Sequence, residues 1–400
     1  MKTDQYDSLI AATDWLQQRD QPVSITLTEP LEPSGGPGAV IFPPTYAREP
    51  GKIPHPYAIS TLRDDLAPEA AAAQGCEANI CDLDTVGSQA NRMEPGFAEP
   101  PLNSLVPQRV IRAGSTSVNL LEIGHRVADG AVRFSTLSEL AAKAIAAFGN
   151  EQDASVLARL APTSLLFGFW DSRDTMFRFP RIVASTIRAT NVAVLNRSAQ
   201  FNPAFDPSEI KLTEIGADQS APTHDDKDPL SQQGLRSAPA VDSHGGVRVF
   251  GLITRRTEIN LVALRTISAV KAGKVDPAET IKLRRYLLGL SLVAGRVQNA
   301  YNLRQGCLLV PSGSSATAQI VMPSGQRQAF VWEFADSYAY AQAAAKDFGV
   351  WSKDGCAESF DFEPIKVKTA IQSKSEEKAA KKAAKAGKKA GAGFNSVPVA

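Results

Sequence analysis

Residues 163–201 read TSLLFGFWDSRDTMFRFPRIVASTIRATNVAVLNRSAQF. Two runs within them, 164–170 and 181–195, are rich in β-branched and apolar residues and read as strands. Arginines recur through the segment at Arg173, Arg178, Arg181, Arg188 and Arg197. The expectation is a sheet with a basic rim. Arginine never titrates in the physiological range, and its planar fork grips phosphate oxygens. Arginines repeated along sheet edges therefore point to an extended polyanion, with nucleic acid the first candidate.

Charge is segregated along the chain in the same sense. The 400 residues carry a formal net charge of +1. The stretch 374–389 holds seven lysines and two glutamates, a net of +5, which leaves −4 for the remainder. Inside that remainder, 108–201 carries eleven basic and seven acidic side chains, and 245–305 carries eleven and three. Between these basic modules, 202–244 has three basic and eight acidic side chains. The pattern predicts two modules that share one groove, with the acidic, Pro/Ser/Asp-rich separator looping away from it.

With 43% hydrophobic and 21% charged residues, the composition is that of a globular protein with a sizeable core. It changes abruptly at one place only, near the C-terminus, so one large embellished domain and a tail are expected. The stretch MKTDQYD at the N-terminus contains acids and no apolar core, and the apolar run near 287–294 falls far short of the ~18 residues of a membrane span. A cytoplasmic location is expected, with no membrane partner. Cys76, Cys81, Cys307 and Cys356 have no histidine at zinc-finger spacing, so neither a metal site nor a disulfide framework is expected.

Residues 4–19 have helical spacing, 23–28 alternate as a strand, and 30–56 are dense in Pro and Gly and read as irregular chain. A short helix is expected over 62–73 and strands over 78–82 and 108–113. The string Ser88-Gln89-Ala90-Asn91-Arg92-Met93-Glu94 follows as a strand-to-loop segment. It reads either as a hydrogen-bonded turn or as donors aimed at phosphate, ribose or base edges. Leu120–Ile123 leads into Gly124-His125-Arg126-Val127-Ala128-Asp129, where His125 and Asp129 stand at helical i,i+4 spacing. Thr136 and Glu139 form a capping-box pattern for a helix to about 148, and 153–160 reads as another helix. One strand is expected over 246–256 and a helix over 258–272. Asp276-Pro277-Ala278-Glu279 is a helix start, and Leu283, Tyr286, Leu287, Leu290, Val293 and Val297 share the inward face up to about 299. Lys282, Arg285, Gly289 and Arg296 are expected mostly on another face. Strands over 307–310, 318–322 and 330–334 and a helix over 337–348 close the ordered part. The tract 373–393 reads either as a frayed helix or as a basic arm.

The sequence contains no Walker, dinucleotide-binding, His-Glu-x-x-His or Gly-x-Ser-x-Gly signature. Of the four histidines, His55 falls in the proline-rich loop, His224 and His244 fall in the acidic segment, and His125 alone lies among predicted elements. His125 reads as structural or RNA-contacting, the alternative being a general acid/base for RNA cleavage. In Trp170-Asp171-Ser172-Arg173, Trp170 is either a stacking platform for a base or a buried tryptophan at a sheet edge.

Phe42-Pro43-Pro44-Thr45-Tyr46, the Ser88–Glu94 string, His125-Arg126-Val127-Ala128-Asp129 with Arg133-Phe134-Ser135, Ser164-Leu165-Leu166-Phe167-Gly168 with Trp170-Asp171-Ser172-Arg173, and Asn260-Leu261-Val262-Ala263-Leu264-Arg265 together resemble the CRISPR-associated backbone protein of type I-G (formerly I-U) effector complexes. The resemblance covers most of 23–300. It implies an α+β fold of the RAMP superfamily, an RNA-recognition-motif-like (ferredoxin-like) core with large insertions. Residues 1–372 would form one RNA-binding domain, with 202–244 as an acidic insertion, either a thumb or a subunit-contact loop. Residues 373–400 would form a Lys/Ala-rich tail.

The implied partners are a crRNA, target DNA through that crRNA, further copies of the chain in a helical backbone, and other Cascade subunits. No cofactor, metal or catalytic residue is implied. Side-chain chemistry nominates Arg173, Arg181, Arg188, Arg197, Arg248, Arg255 and Arg256 for phosphate. Ser88, Gln89, Asn91 and Arg92 would shape the guide path, and His125 and Arg126 are also nominated for RNA binding. The competing readings are a RAMP-type endoribonuclease that processes precursor crRNA with His125 as acid/base, and a scaffold whose basic residues serve protein partners.

Overall fold

The computed structural model describes residues 2–10, 20–46, 56–205, 233–235, 238–298, 300–353, 355, 357–373 and 375. Up to the first long strand-and-helix unit the elements are α1 (Lys2–Ser8), β1 (Ser24–Pro33), β2 (Ile59–Thr61), α2 (Pro68–Ala73), β3 (Asn79–Asp84) and α3 (Val86–Met93). Next come β4 (Gln108–Ala113), β5 (Thr116–Asn119), α4 (Gly130–Arg133), α5 (Ser138–Glu151), α6 (Ser155–Leu160) and α7 (Pro162–Phe167). The hairpin β6 (Phe169–Trp170) and β7 (Arg178–Phe179) leads to β8 (Val183–Thr190), β9 (Val192–Phe201), β10 (Ala238–Val249) and β11 (Ile253–Asn260). The chain continues with α8 (Leu261–Arg265), β12 (Val270–Lys271), β13 (Lys274–Val275), α9 (Pro277–Arg296), β14 (Tyr301–Arg304), β15 (Cys307–Pro311), β16 (Thr317–Val321), β17 (Arg327–Ala329), α10 (Phe334–Phe348) and β18 (Ala357–Asp361).

The fold is mixed α+β. Its main sheet is antiparallel in the order β14-β15-β1-β11-β8-β3-β2, with β16 also pairing β1 and carrying β17. Taken alone, β15/β16, β1, β11 and β8 stand in the order fourth, first, third, second. Helices separate β1 from β8, and α9 separates β11 from β15, an arrangement consistent with a ferredoxin-like core. Strands β9 and β10 leave this sheet as a separate antiparallel arm. Strand β4 lies between β5 and a parallel β18.

One face of the main sheet is covered. Along β1 and β11, alternate residues turn inward, Ile25, Leu27, Glu29 and Leu31 on one strand and Ile253, Arg255, Thr257 and Ile259 on the other. Helix α9 starts at the Asp276 cap, which accepts from Glu279 N at 3.1 Å. It buries Leu283, Tyr286, Leu287, Leu290 and Val293 as its spacing predicts. Each such burial stabilises the fold by roughly 1.5–3 kcal/mol. Gly289, expected on an outer face, meets α10 instead. A Cβ there would sit 2.7 Å from Ala341 Cα, so only glycine allows the two helices this close.

A polar seam divides the inward face. Arg255 is 0% exposed and donates to Glu29 Oε2 (2.5 Å), Gln89 Oε1 (3.1 Å), Ser185 Oγ (3.1 Å) and Gly295 O (3.0 Å). Gln89 in turn donates to Asp84 (2.6 Å), which Arg92 also meets at 3.0 Å, and Arg296 meets Glu29 at 3.0 Å. Ile25, Leu27 and Val183 lie in one apolar cluster, and Leu31, Ile187 and Ile253 lie in the other. Because a charge stripped of water is tolerated only when paired, the seam fixes the register of β1, β11, β8 and α3 together.

Several expected elements come out differently. Residues 164–170 are not one strand: 162–167 form the buried helix α7, started by Pro162, and only Phe169 and Trp170 are extended. A short apolar run has no period that separates a buried helix from a buried strand. The run 181–195 breaks at Asn191 (φ +53°), whose side chain accepts from Ala78 N at 2.7 Å. Residues 246–256 break at a turn through Gly251, where a Cβ would meet Thr190 Oγ1 at 2.4 Å. The helix expected over 258–272 is shorter because β11 runs on to Asn260, which caps α8 through Ala263 N at 2.9 Å.

The Ser88–Glu94 string is helix α3 rather than a loop, capped by Thr85. Thr136 is not a cap for α5, since its hydroxyl accepts from Asp361 N of β18. The helix of 62–73 keeps only its last part, 330–334 is not a strand, and α1 is described only to Ser8, 11–19 lying outside the described residues. Most of the acidic segment (206–232 and 236–237) and the tail from 376 also lie outside them, as do His55, His224 and Cys356.

Candidate nucleic-acid interface

The hairpin of β6 and β7 has two unlike sides. Phe169 and Phe179 are paired across it and buried, and Phe148 lies 5.0 Å from Phe179 and 5.4 Å from Phe177. The alternate positions, Trp170 and Arg178, are also cross-strand partners and point outward. Trp170 is 57% exposed and Met176, near the turn, 65%. Asp171 shapes the turn by accepting from the backbone of Arg173 (3.3 Å), Asp174 (3.2 Å) and Thr175 (2.9 Å) and from the Thr175 hydroxyl (2.8 Å). Burial opposes its charge, but these hydrogen bonds outweigh it and hold the carboxyl below the usual aspartate range. Arg133 closes the acidic side, meeting Asp171 at 3.2 Å and Asp174 at 2.6 Å. The hollow of about 340 Å³ beside Arg133, Asp171 and Asp174 is therefore the acid-lined side of this hairpin.

Arg181 follows the hairpin and crosses back over Gly168. That glycine has φ +74°, and a Cβ on it would come within 2.9 Å of Phe179 O and 3.1 Å of Arg181 Cγ. The Arg181 guanidinium reaches the start of α3, where a Cβ on Gly87 would lie 4.0 Å from Nη2. Its charged neighbours are cationic: desolvation and the charges of Arg126 and Arg178 lower its pKa. Arg126 lies underneath, buried, donating to Gly168 O and paired with Glu94 at 2.7 Å. Burial pushes the Glu94 carboxyl up to about 7 despite the opposing charge of Arg126. Among the described residues, Arg173, Arg178 and Arg181 make no ion pair.

The uncovered face of the main sheet is a second polar surface. Thr28, Arg256 and Thr186 lie in register across β1, β11 and β8, and Thr26, Glu258 and Gln319 lie in the next outward row. With Arg327 they line a depression of about 460 Å³. Arg188 lies outward on β8 and pairs with Asp82 at 2.7 Å.

Residues 25–194 match the family model described as CRISPR-associated protein GSU0053 (Cas_GSU0053). The match indicates a CRISPR-associated family. No curated protein matches the chain. The matched span covers less than half of the chain, running from β1 into β9. It includes α3, the β6–β7 hairpin, Arg181 and Arg188, and ends before Arg197, Arg248, Arg255 and Arg256. Among the described residues no helix is long and apolar enough to cross a membrane, and no group of His, Cys, Asp and Glu is placed to hold a metal ion.

The nominated residues separate into four sets. Arg173, Arg181 and Arg256 are exposed and unpaired among the described residues. Arg188, Arg197 and Arg248 are exposed but engaged: Arg188 by Asp82, Arg197 with its Cζ 5.9 Å from the Phe42 ring centroid, and Arg248 with its Cζ 5.0 Å from that of Phe250. Arg255, Gln89 and Arg126 depart from the expected surface role, since all three are buried with their polar atoms directed to other protein groups. Arg92 is likewise turned to Asp84 and to the carbonyls of Asn302 and Leu303.

Ser88 and Asn91 remain at the α3 surface, and Asn91 accepts from Arg126 at 3.4 Å. His125 is exposed just before Arg126 and does not pair with Asp129, whose carboxylate accepts from Ala131 N at 2.9 Å. The structure thus brings Ser88, Asn91, His125 and Arg181 around α3. Arg178, Arg327, Thr28 and Thr186 were not among the nominated site residues. The outward phase of Thr26, Thr28 and Thr186 in otherwise apolar strands was the available signal.

Proposed function

We propose that this chain is a non-catalytic, crRNA-binding backbone subunit of a type I-G CRISPR effector complex. Several copies polymerise along the spacer and present it to target DNA, beside the other Cascade subunits, in the cytoplasm. The observation that carries this reading is the division among the arginines. Those in the core are spent on carboxylates and carbonyls, whereas Arg173, Arg178, Arg181 and Arg256 face solvent with no carboxylate partner among the described residues. Free guanidinium groups beside a helix start and on an uncovered sheet face suit the phosphates of an extended strand. The CRISPR-associated family match supports an RNA of that kind as the partner.

The test is copurification with a CRISPR RNA followed by a salt titration. Spacer-length RNA on an oligomer is expected, with log affinity falling linearly against log salt at ~0.7 per neutralised phosphate. RNA-free monomer that fails to bind the guide at low salt sinks the proposal. Intact guide RNA after incubation is expected for both wild type and His125→Ala, and cleavage that vanishes in His125→Ala would replace this reading with the endoribonuclease.

A further inference from the structure

We propose that the β6–β7 hairpin is a base-stacking platform, on which Trp170 receives one nucleobase of a single-stranded RNA while Arg178 and Arg181 hold the flanking phosphates. The inference rests on the RNA-binding reading above and names the residue that would contact a base. A half-exposed tryptophan has a cost in water, and here the ring lies on the side of the hairpin opposite its aromatic packing. Trp170 makes no aromatic or cation–π contact among the described residues. The other described tryptophans are engaged: Trp332 is buried and donates to Leu292 O at 3.0 Å, and Lys346 Nζ lies 4.5 Å from the Trp351 ring centroid.

The charges around the ring favour a polyanion. Arg178 is its cross-strand partner, Arg173 is exposed in the intervening turn, and Arg181 follows two residues after β7. None of the three is neutralised among the described residues. The two aspartates of the same hairpin both pair with Arg133, which offsets part of their charge. An indole face accepts any base, and arginines read only the backbone, so the site would be tolerant of sequence.

The test uses the full-length protein with two probes, a fluorescein-labelled oligouridylate and an abasic ribose-phosphate strand of the same length. Trp170→Ala is expected to weaken oligouridylate binding about tenfold, Trp170→Phe to retain most of it, and neither to change binding of the abasic strand. Since Trp170 is exposed, both variants are expected to melt with the wild type, which separates lost binding from lost folding. Equal oligouridylate affinity in wild type and Trp170→Ala, with binding still steeply salt-dependent, overturns the platform while leaving the RNA-binding reading intact. Loss of self-association in Trp170→Ala without loss of RNA affinity overturns it in favour of a contact between copies. If the wild type binds neither probe, both readings fall together.

Discussion

Arg255 and Arg256 are neighbours in the chain and opposites in the fold. Arg255 faces the helices with no exposed surface and reaches Glu29, Gln89, Ser185 and Gly295, whereas Arg256 faces solvent between Thr28 and Thr186. Because side chains along a strand alternate, one residue of register decides whether an arginine holds the protein together or is free for a ligand. The same division separates Arg126, Arg265 and Arg284, turned inward to a carboxylate or to carbonyls, from Arg173, Arg178 and Arg181. Composition counts all of these equally. The fold makes only the second group a candidate for phosphate.

The largest expected effect breaks the inward half. Arg255→Ala would leave Glu29 buried with Arg296 as its one remaining ionic partner among the described residues, and would strip Gln89 and Ser185 of a donor. A loss of ~3–5 kcal/mol in chemical denaturation is expected, the usual cost of removing one member of a buried pair. A change below ~1 kcal/mol would show that the seam is hydrated and that Arg255 is not committed to the core.

Glu94, beneath Arg181, gives the next effect, through pH. Its folded pKa of about 7 lies above the ~4.3 of a free glutamate, so the folded protein holds the proton more tightly than the unfolded chain. The stability this contributes is fully present below about 4.3 and is lost as pH rises to about 7, a decline on the order of 1–3 kcal/mol. Glu94→Gln is expected to remove that decline, read as the difference in denaturation midpoint between the two proteins across the window. Parallel pH profiles would mean that Glu94 stays ionised beside Arg126 in both states.

The third prediction sharpens the outward half. The double variant Arg178→Ala/Arg181→Ala is expected to bind single-stranded RNA about ten- to a hundredfold more weakly and to reduce the salt slope by ~1.4, for two phosphates. Its denaturation midpoint should match the wild type, since exposed unpaired charges contribute within about 0.5 kcal/mol. Unfolding of the variant would transfer these arginines to the structural group.

Much of this division was legible in the strands, residue by residue. In β1, Leu27, Glu29 and Leu31 share one phase, and in β11, Ile253, Arg255, Thr257 and Ile259 do. A glutamate and an arginine on the apolar phase of two strands are the signature of a buried pair, and the phase of Arg255 should have removed it from the surface set. The start of α9 was readable because its signals, Asp276, Pro277 and Glu279, are local. The helix of 162–167 was not, since all six residues are buried, Thr163 and Ser164 included, and no exposed face marks its period. Strand β3 carries Asn79 and Asp84, polar for a buried strand; Asn79 finds its partner in Val192, 113 residues on, and Asp84 in Gln89 of the helix that follows. At the hairpin, Phe169 and Trp170 are equivalent as letters. Which of them turned outward was decided by Phe148 and Phe177, which pack on one side only.

Arg256 itself carries the smallest effect and separates the uncovered sheet face from the hairpin as the path of a bound strand. Its row offers Thr28 and Thr186 as neutral neighbours, but Glu258 lies on the same outward phase two residues on, and Arg188 is already paired with Asp82. The field there is weaker than beside Arg178 and Arg181, where the neighbouring carboxylates are drawn to Arg133. Arg256→Ala is therefore expected to lower RNA affinity only about two- to fivefold, with a slope change of ~0.7 for one phosphate. Glu258→Gln should raise affinity by a similar small factor, because it removes a repulsive charge without removing a donor. If Arg256→Ala instead cost as much as the hairpin double variant, the strand would run across the sheet, and the unpaired arginines of the hairpin would need another ligand.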